Sequence, residues 1–363
     1  SSSHAPREAT AVRMARTAES IFAGDGGAFP FAEGSAAPPD LAETLSSMRG
    51  EKSGTLSFGN ESGFGEMRLV EVLPGVSVSF NDFGMDGYLS TFSTASDVLC
   101  VDWCRDGRIE QPMPDGSYAY VSAGDLKVDD RTRHSGSFAF PTSRYRGITI
   151  SFDLSCAPAS IRRALPGFSV DLRELKRRFC RDGRPFIVRD CARMRHIAEE
   201  LYESPVHARR AYCQIKALET LLLLDSIDPG LEGADVAYYP RSRVARVKKA
   251  RELMVSDLSS CMTVEEAARR AGMSLTSFKE CFKGVYGTSP AAYVRGVRMG
   301  QAAKMLAETD MPVAEVGALA GYDSPSKFSV AFKSSMGATP SRYRHLVREP
   351  GFRPNGTAAA ERG

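Results

Sequence analysis

Residues 272–295 read GMSLTSFKECFKGVYGTSPAAYVR, and residues 321–344 read GYDSPSKFSVAFKSSMGATPSRYR. Gly272, Phe278, Phe282, Gly287, Pro290 and Tyr293 in the first stretch recur as Gly321, Phe328, Phe332, Gly337, Pro340 and Tyr343 in the second, so one supersecondary unit is encoded twice. Phe278, Cys281, Phe282 and Val285 fall at i, i+3, i+4 and i+7, which places them on one buried face of a helix. Thr276, Lys279, Glu280 and Lys283 repeat the same spacing on another face, and that face is polar. A rigid rod with an apolar back and short or forked polar groups in front is what reading base edges in a major groove requires.

Each such helix follows another. Thr263-Val-Glu-Glu266 is a capping box, so a helix should start there and carry Val264, Ala267, Ala268 and Ala271 inward until Gly272 ends it. Ser274 then caps the next helix, completing a helix-turn-helix. In the second copy Pro312 suits a first turn, Val313, Val316, Leu319 and Ala320 form the inward stripe, and Ser324-Pro325 starts a helix with Phe328, Ala331 and Phe332 inward. Its turn has one extra residue, so the two copies need not read the same bases. Ser289-Pro290 starts a helix to about Glu308 that joins the copies, roughly 27 Å at about 1.5 Å per residue, comparable to one duplex turn. The base-facing candidates are Thr276, Ser277, Lys279 and Glu280, then Ser326, Lys327 and Ser329. Lys283, Lys333, Arg295, Arg342 and Arg344 are the phosphate candidates.

Upstream of the repeat, residues 229–240 read as a linker and 157–228 as helical. In the last of those helices, 206–226, Tyr212, Ile215, Leu218, Leu221 and Leu222 form a stripe that fits either packing on the same chain or a homodimer interface. Residues 61–156 carry short β-type runs (MRLVEVL, VSVSF, VLCVDWC, YAYVSA, SFAF, ITISFD), with Asp106-Gly107 and Asp115-Gly116 as hairpin turn signals. They predict a small antiparallel barrel, making the whole chain α+β with an all-α C-terminal domain at 241–350. Residues 1–60, rich in Ala, Gly, Ser and Pro, read as a flexible arm, and 351–363 as a polar tail.

The net charge of +3 is unevenly spread. Residues 241–350 hold about 18 Lys and Arg against about 10 Asp and Glu, which leaves roughly −5 for the remainder and makes a polyanion the natural partner of the repeat. No apolar run approaches the roughly 18 residues of a membrane span, and no secretory signal pattern opens the chain, so it reads as cytoplasmic and without a membrane partner. The eight cysteines never form a CxxC pair, which argues against a disulfide framework or a zinc module.

The two quoted stretches resemble the AraC/XylS family of bacterial transcription regulators, and the similarity runs from about Val244 to Leu346. Cys104-Arg-Asp-Gly-Arg-Ile-Glu110, followed by Gly124-Asp125-Leu126, is similar to the hairpin and turn of the cupin-like sensor barrel that many members carry before a helical dimerisation segment. The resemblance implies that Thr276, Lys279 and Glu280, and Pro325, Ser326, Lys327 and Ser329, face the groove. Pro325 has no side-chain donor and Val330 stands where relatives are often polar, which leaves more of the second helix's role to phosphate contacts. The family further implies double-stranded promoter DNA and a small-molecule effector as partners, with RNA polymerase beside them.

Trp103, Tyr118, Tyr120 and Tyr145, with Arg144 and Arg146 for an acidic group, are the effector candidates. No catalytic residue, metal ligand or cofactor is expected. Of the five histidines only His134 lies in the barrel region, which does not supply the imidazole set of a metal-dependent cupin enzyme. Such an enzyme and a ligand-independent architectural DNA binder are the alternative functions. The first predicts stoichiometric metal, and the second a stability that no small molecule shifts.

Overall fold

The computed structural model describes residues 53–90, 97–131, 136–233, 236–258 and 262–348. The predicted tail and all but the end of the predicted arm lie outside them. The chain divides into two compact units, Ser1–Gly107 with Ala123–Asp235 and Arg108–Ser122 with Val236–Gly363.

The strands are β1 (Ser53–Asn60), β2 (Gly63–Leu73), β3 (Val76–Gly84), β4 (Gly87–Ser90), β5 (Val98–Pro112), β6 (Ser117–Ser122), β7 (Leu126–Asp130), β8 (Gly136–Ala139) and β9 (Tyr145–Asp153). Strand β1 corrects the boundary of the predicted arm: Leu56 and Phe58 alternate into the core, a signal too short to stand out beside Gly-rich sequence. In the first unit the antiparallel order is β1-β2-β3-β9-β5-β7-β10, where β10 is Phe186–Val188, and β4 pairs with β8. The path does not return to its start, so the sheet is open among the described residues where the sequence predicts a closed barrel. Among the described residues its two end strands, β1 and β10, pair on one side only.

Strand β5 shows how the sheet is buried. Leu99, Val101 and Trp103 point into a core shared with helices α1 (Ala157–Ala164), α2 (Leu172–Phe179), α3 (Ala192–Glu203) and α4 (Arg209–Ser226). Cys100, Asp102 and Cys104 point the other way and are equally buried. There Asp102 pairs with Lys127 at 2.9 Å and Arg131 at 2.6 Å, and Lys127 pairs with Asp129 at 2.9 Å. Burial pushes the Asp102 carboxyl up, but Arg131 and Lys127 outweigh burial and hold it well below the usual range. Lys127 is disfavoured as a cation by burial, yet Asp102 and Asp129 raise its pKa above the ordinary value.

Two sequence expectations need correction. Asp106-Gly107 is a bulge inside β5, not a turn: the register against β9 slips between Cys104 and Asp106, and Gly107 has φ +80° beside the Arg144 carbonyl. On α4, Cys213, Ala217, Leu221 and Leu224 face inward, while Tyr212, Ile215 and Leu222 are 40%, 62% and 54% exposed. At about 100° per residue Leu221 and Leu222 cannot share a face, so the predicted stripe is two. The short helix α5 (Pro229–Glu232) and strand β11 (Tyr239–Pro240) lie in the stretch that reads as a linker.

The second unit contains helices α6 (Arg241–Ser256), α7 (Val264–Arg270), α8 (Leu275–Tyr286), α9 (Pro290–Glu308), α10 (Val313–Leu319), α11 (Pro325–Met336) and α12 (Pro340–Arg348). It has two cores. Phe278, Cys281, Phe282 and Val285 join Val244, Val247, Ala250 and Ala267 in one, and Phe328 and Phe332 join Met299, Ala302, Leu306 and Val316 in the other. Helix α9 serves both, with Tyr293 and Val294 packed on the first core and Met299 through Leu306 within the second.

The hairpin of residues 108–122 belongs to this unit. Asp115-Gly116 is its turn, as the sequence predicts, with the Ser117 amide donating to Asp115 Oδ1 at 2.9 Å. Tyr120, on β6, is 1% exposed within the first core, and its hydroxyl donates to Glu110 at 2.8 Å. Lys248 of α6 reaches the same carboxylate at 2.6 Å. Arg108 donates to the Gly284 carbonyl near the end of α8 at 2.9 Å, and β6 pairs with β11.

Candidate nucleic-acid interface

The first recognition helix is held by its ends and its back. Ser274 accepts from the Ser277 amide at 3.3 Å, and Gly287 takes φ +77° to close α8 with its amide on the Lys283 carbonyl at 2.8 Å. Gly337 repeats that closure at φ +76°. Phe278, Phe282, Phe328 and Phe332 have no exposed surface. Phe282 meets Tyr293 edge-on at 5.5 Å and 77°, and Phe332 meets Tyr343 at 5.4 Å and 78°, so the repeat extends to ring geometry. Burial pushes the Cys281 thiol up to about 11, so it stays neutral on this apolar back.

Local details differ from the sequence expectation. Thr263 does cap α7, accepting from the Glu266 amide at 3.1 Å, but Glu266 turns to Arg270 at 2.7 Å and to Arg269, not back to the Thr263 amide. Pro312 is the residue before α10, Leu319 is 46% exposed because the seven-residue helix buries only Val316 and Gly317, and Ser324 precedes α11 without a side-chain cap bond.

The structure brings Thr276, Lys279, Glu280 and Lys283 together on the exposed face of α8, with Ser277 half-buried beside them. On α11 it exposes Ser326, Lys327 and Lys333, while Ser329 is half-buried at the flank. Arg295 and Arg342 are exposed. Arg344 is half-buried and donates to the Met311 carbonyl, so its guanidinium is turned onto its own chain. Pattern reading passed over Ser334, exposed on the same face, and read Val330 as a loss of polarity, although Val330 is 70% exposed in the middle of it.

The effector candidates divide between the two units. Tyr118 and Tyr120 belong to the second unit and Trp103, Tyr145, Arg144 and Arg146 to the first. Tyr145 stacks on Phe140, which stacks on Phe83, while Arg144 pairs with Asp82 at 3.0 Å and Arg146 with Asp106 at 3.3 Å. Among the described residues no group of three or more His, Cys, Asp or Glu is placed to hold a metal ion, and no helix is long and apolar enough to cross a membrane.

A family model described as a helix-turn-helix domain matches residues 267–345. The HTH-type transcriptional regulator ExsA of Pseudomonas aeruginosa is 31% identical over 145 residues, 40% of this chain and 51% of that protein. The RCS-specific HTH-type transcriptional activator RclR of Escherichia coli is 40% identical over 87 residues, 24% of this chain and 31% of that protein. The chain thus spans about half, or less, of the length of these curated relatives. Among solved structures, the DNA-binding domain of AdpA in complex with a target DNA is 29% identical, covers 31% of this chain and 98% of that chain, and aligns with a TM-score of 0.28. The doubled motif, its paired phenylalanine-backed helices and the match over 267–345 make this part of the chain a helix-turn-helix domain, similar in sequence to parts of the HTH-type regulators just named.

Proposed function

We propose that the protein is a sequence-specific DNA-binding transcriptional regulator that reads two successive stretches of major groove through α8 and α11. The observation that carries this reading is the pair of exposed polar faces, Thr276, Lys279, Glu280 and Lys283 on one and Ser326, Lys327 and Lys333 on the other, each opposite two fully buried phenylalanines. Arg295 and Arg342, exposed on α9 and α12, supply phosphate contacts. Selection of bound duplexes from a random pool by the full chain should enrich one two-part sequence, with log affinity falling steeply as log salt rises. A flat salt response, or no enriched sequence, would overturn the reading.

The N-terminal unit is proposed to sense a small, acidic effector in the cytoplasm. Trp103 Nε1, Arg146 Nε and the Tyr202 hydroxyl are buried without a hydrogen-bond partner among the described residues, and a buried donor left unpaired costs about 1–3 kcal/mol. A ligand supplying acceptors there would raise thermal stability. The exposed side of α4 supports homodimerisation. A regulator that acts at promoters also has RNA polymerase as a partner in this proposal.

A further inference from the structure

Val330 is the most exposed large apolar residue of the recognition helices, at 70%, and it sits where exposure has a use. At about 100° per residue it lies roughly 180° from the midpoint of Phe328 and Phe332, so it crowns the face that the buried pair holds outward. Ser326 and Lys333 flank it on one side, Lys327 and Ser334 on the other, and all four are exposed. A lone isopropyl group framed by two lysines and two serines does not suit an apolar protein partner, which would have to desolvate the charges around it. It suits a polyanion carrying isolated methyl groups, and in duplex DNA the thymine C5-methyl is the apolar feature of the major groove.

The other half of the repeat sharpens this. Phe278 and Phe282 correspond to Phe328 and Phe332, so Val330 corresponds to Glu280, also exposed. The same helical position carries a carboxylate, which can accept from the cytosine amino group, in one reader and a branched alkyl group in the other. We propose that Val330 is a specificity residue that reads a thymine methyl, so that the α11 half of the site requires thymine where the α8 half, through Glu280, favours cytosine. This rests on the regulator reading above.

The test uses the full-length protein and the duplex it selects from a random pool. Each thymine of the selected site is replaced in turn by deoxyuridine, which removes only the methyl group. Wild-type binding should weaken about fourfold at one thymine in the α11 half, the equivalent of one buried methyl. Val330→Ala should bind the parent site about as weakly as wild type binds the uracil duplex and should no longer distinguish the two. Val330→Ser should shift the selected base at that position. If no thymine is methyl-sensitive in wild type, or if Val330→Ala keeps the same sensitivity, the proposal is overturned while an enriched site still supports the regulator reading. Failure to enrich any sequence would instead remove the regulator reading, and this proposal with it.

Discussion

Phe282 and Phe332 have no exposed surface, and each is the ring on which a neighbouring tyrosine stands edge-on. Truncating either to Ala leaves a cavity beneath a recognition helix. We expect a loss of about 3–5 kcal/mol in denaturant unfolding of the second unit, with DNA affinity falling in parallel. Asp102 is the corresponding pressure point in the first unit. Asp102→Asn leaves Lys127 and Arg131 buried beside a neutral group, and should cost about 3–5 kcal/mol near neutral pH. Because its folded pKa is depressed, Asp102 contributes stability above the ordinary carboxylate range, near pH ~4, and that contribution is lost as pH falls through the folded value. Lys127, with a raised pKa, contributes below about pH 10 and loses it as pH rises further. The stability gap between wild type and Asp102→Asn should therefore be widest between those limits and close in acid. A gap that persists unchanged at pH 2 would refute the assignment. At this scale helical spacing alone separated Thr276, Lys279, Glu280 and Lys283 from the buried face. It did not reveal that Arg344 turns to Met311 or that Arg108 meets Gly284, 176 positions away, because those partners are set by tertiary folding.

Helix α9 acts as a ruler between two cores. Gly296 is exposed and lies between the residues that pack on each, so inserting one alanine after it turns the second motif by about 100° about the α9 axis and advances it about 1.5 Å. Both motifs should keep their own cores, while affinity for a two-part site drops to that of a single motif, measurable by footprinting each half. Helix α4 makes a separate prediction. Ile215→Glu with Leu222→Glu should shift sedimentation from dimer to monomer without lowering thermal stability, since both side chains are more than half exposed. Helices with a 3.6-residue pattern were readable from sequence to within a few residues, as α4 and the starts of α7 to α11 show. The strands were readable only in part: the quoted runs fall on β2, β3, β5, β6, β8 and β9 and miss β1, β4 and β7, Asp106-Gly107 has the composition of a hairpin turn and serves as a bulge, and β10 is three residues long with no alternation to detect.

The whole molecule separates its charge, with the basic surplus in the unit that carries the repeat and an acidic remainder elsewhere. That division was visible in the sequence because composition needs no fold. What composition could not supply is which residues complete each core, and here the chain is not collinear with its units. The hairpin of residues 108–122 supplies Tyr120 to the core behind α8 and Glu110 to Lys248 of α6, far upstream of the residues it supports. A fragment beginning near residue 236, the boundary that a linear domain map recommends, would therefore be born with a missing wall and an unmatched lysine. Reagents, truncations and fusions built on that boundary should melt earlier and bind duplex more weakly than the intact chain, and co-expressing or splicing back the fifteen-residue loop from Arg108 to Ser122 should restore them.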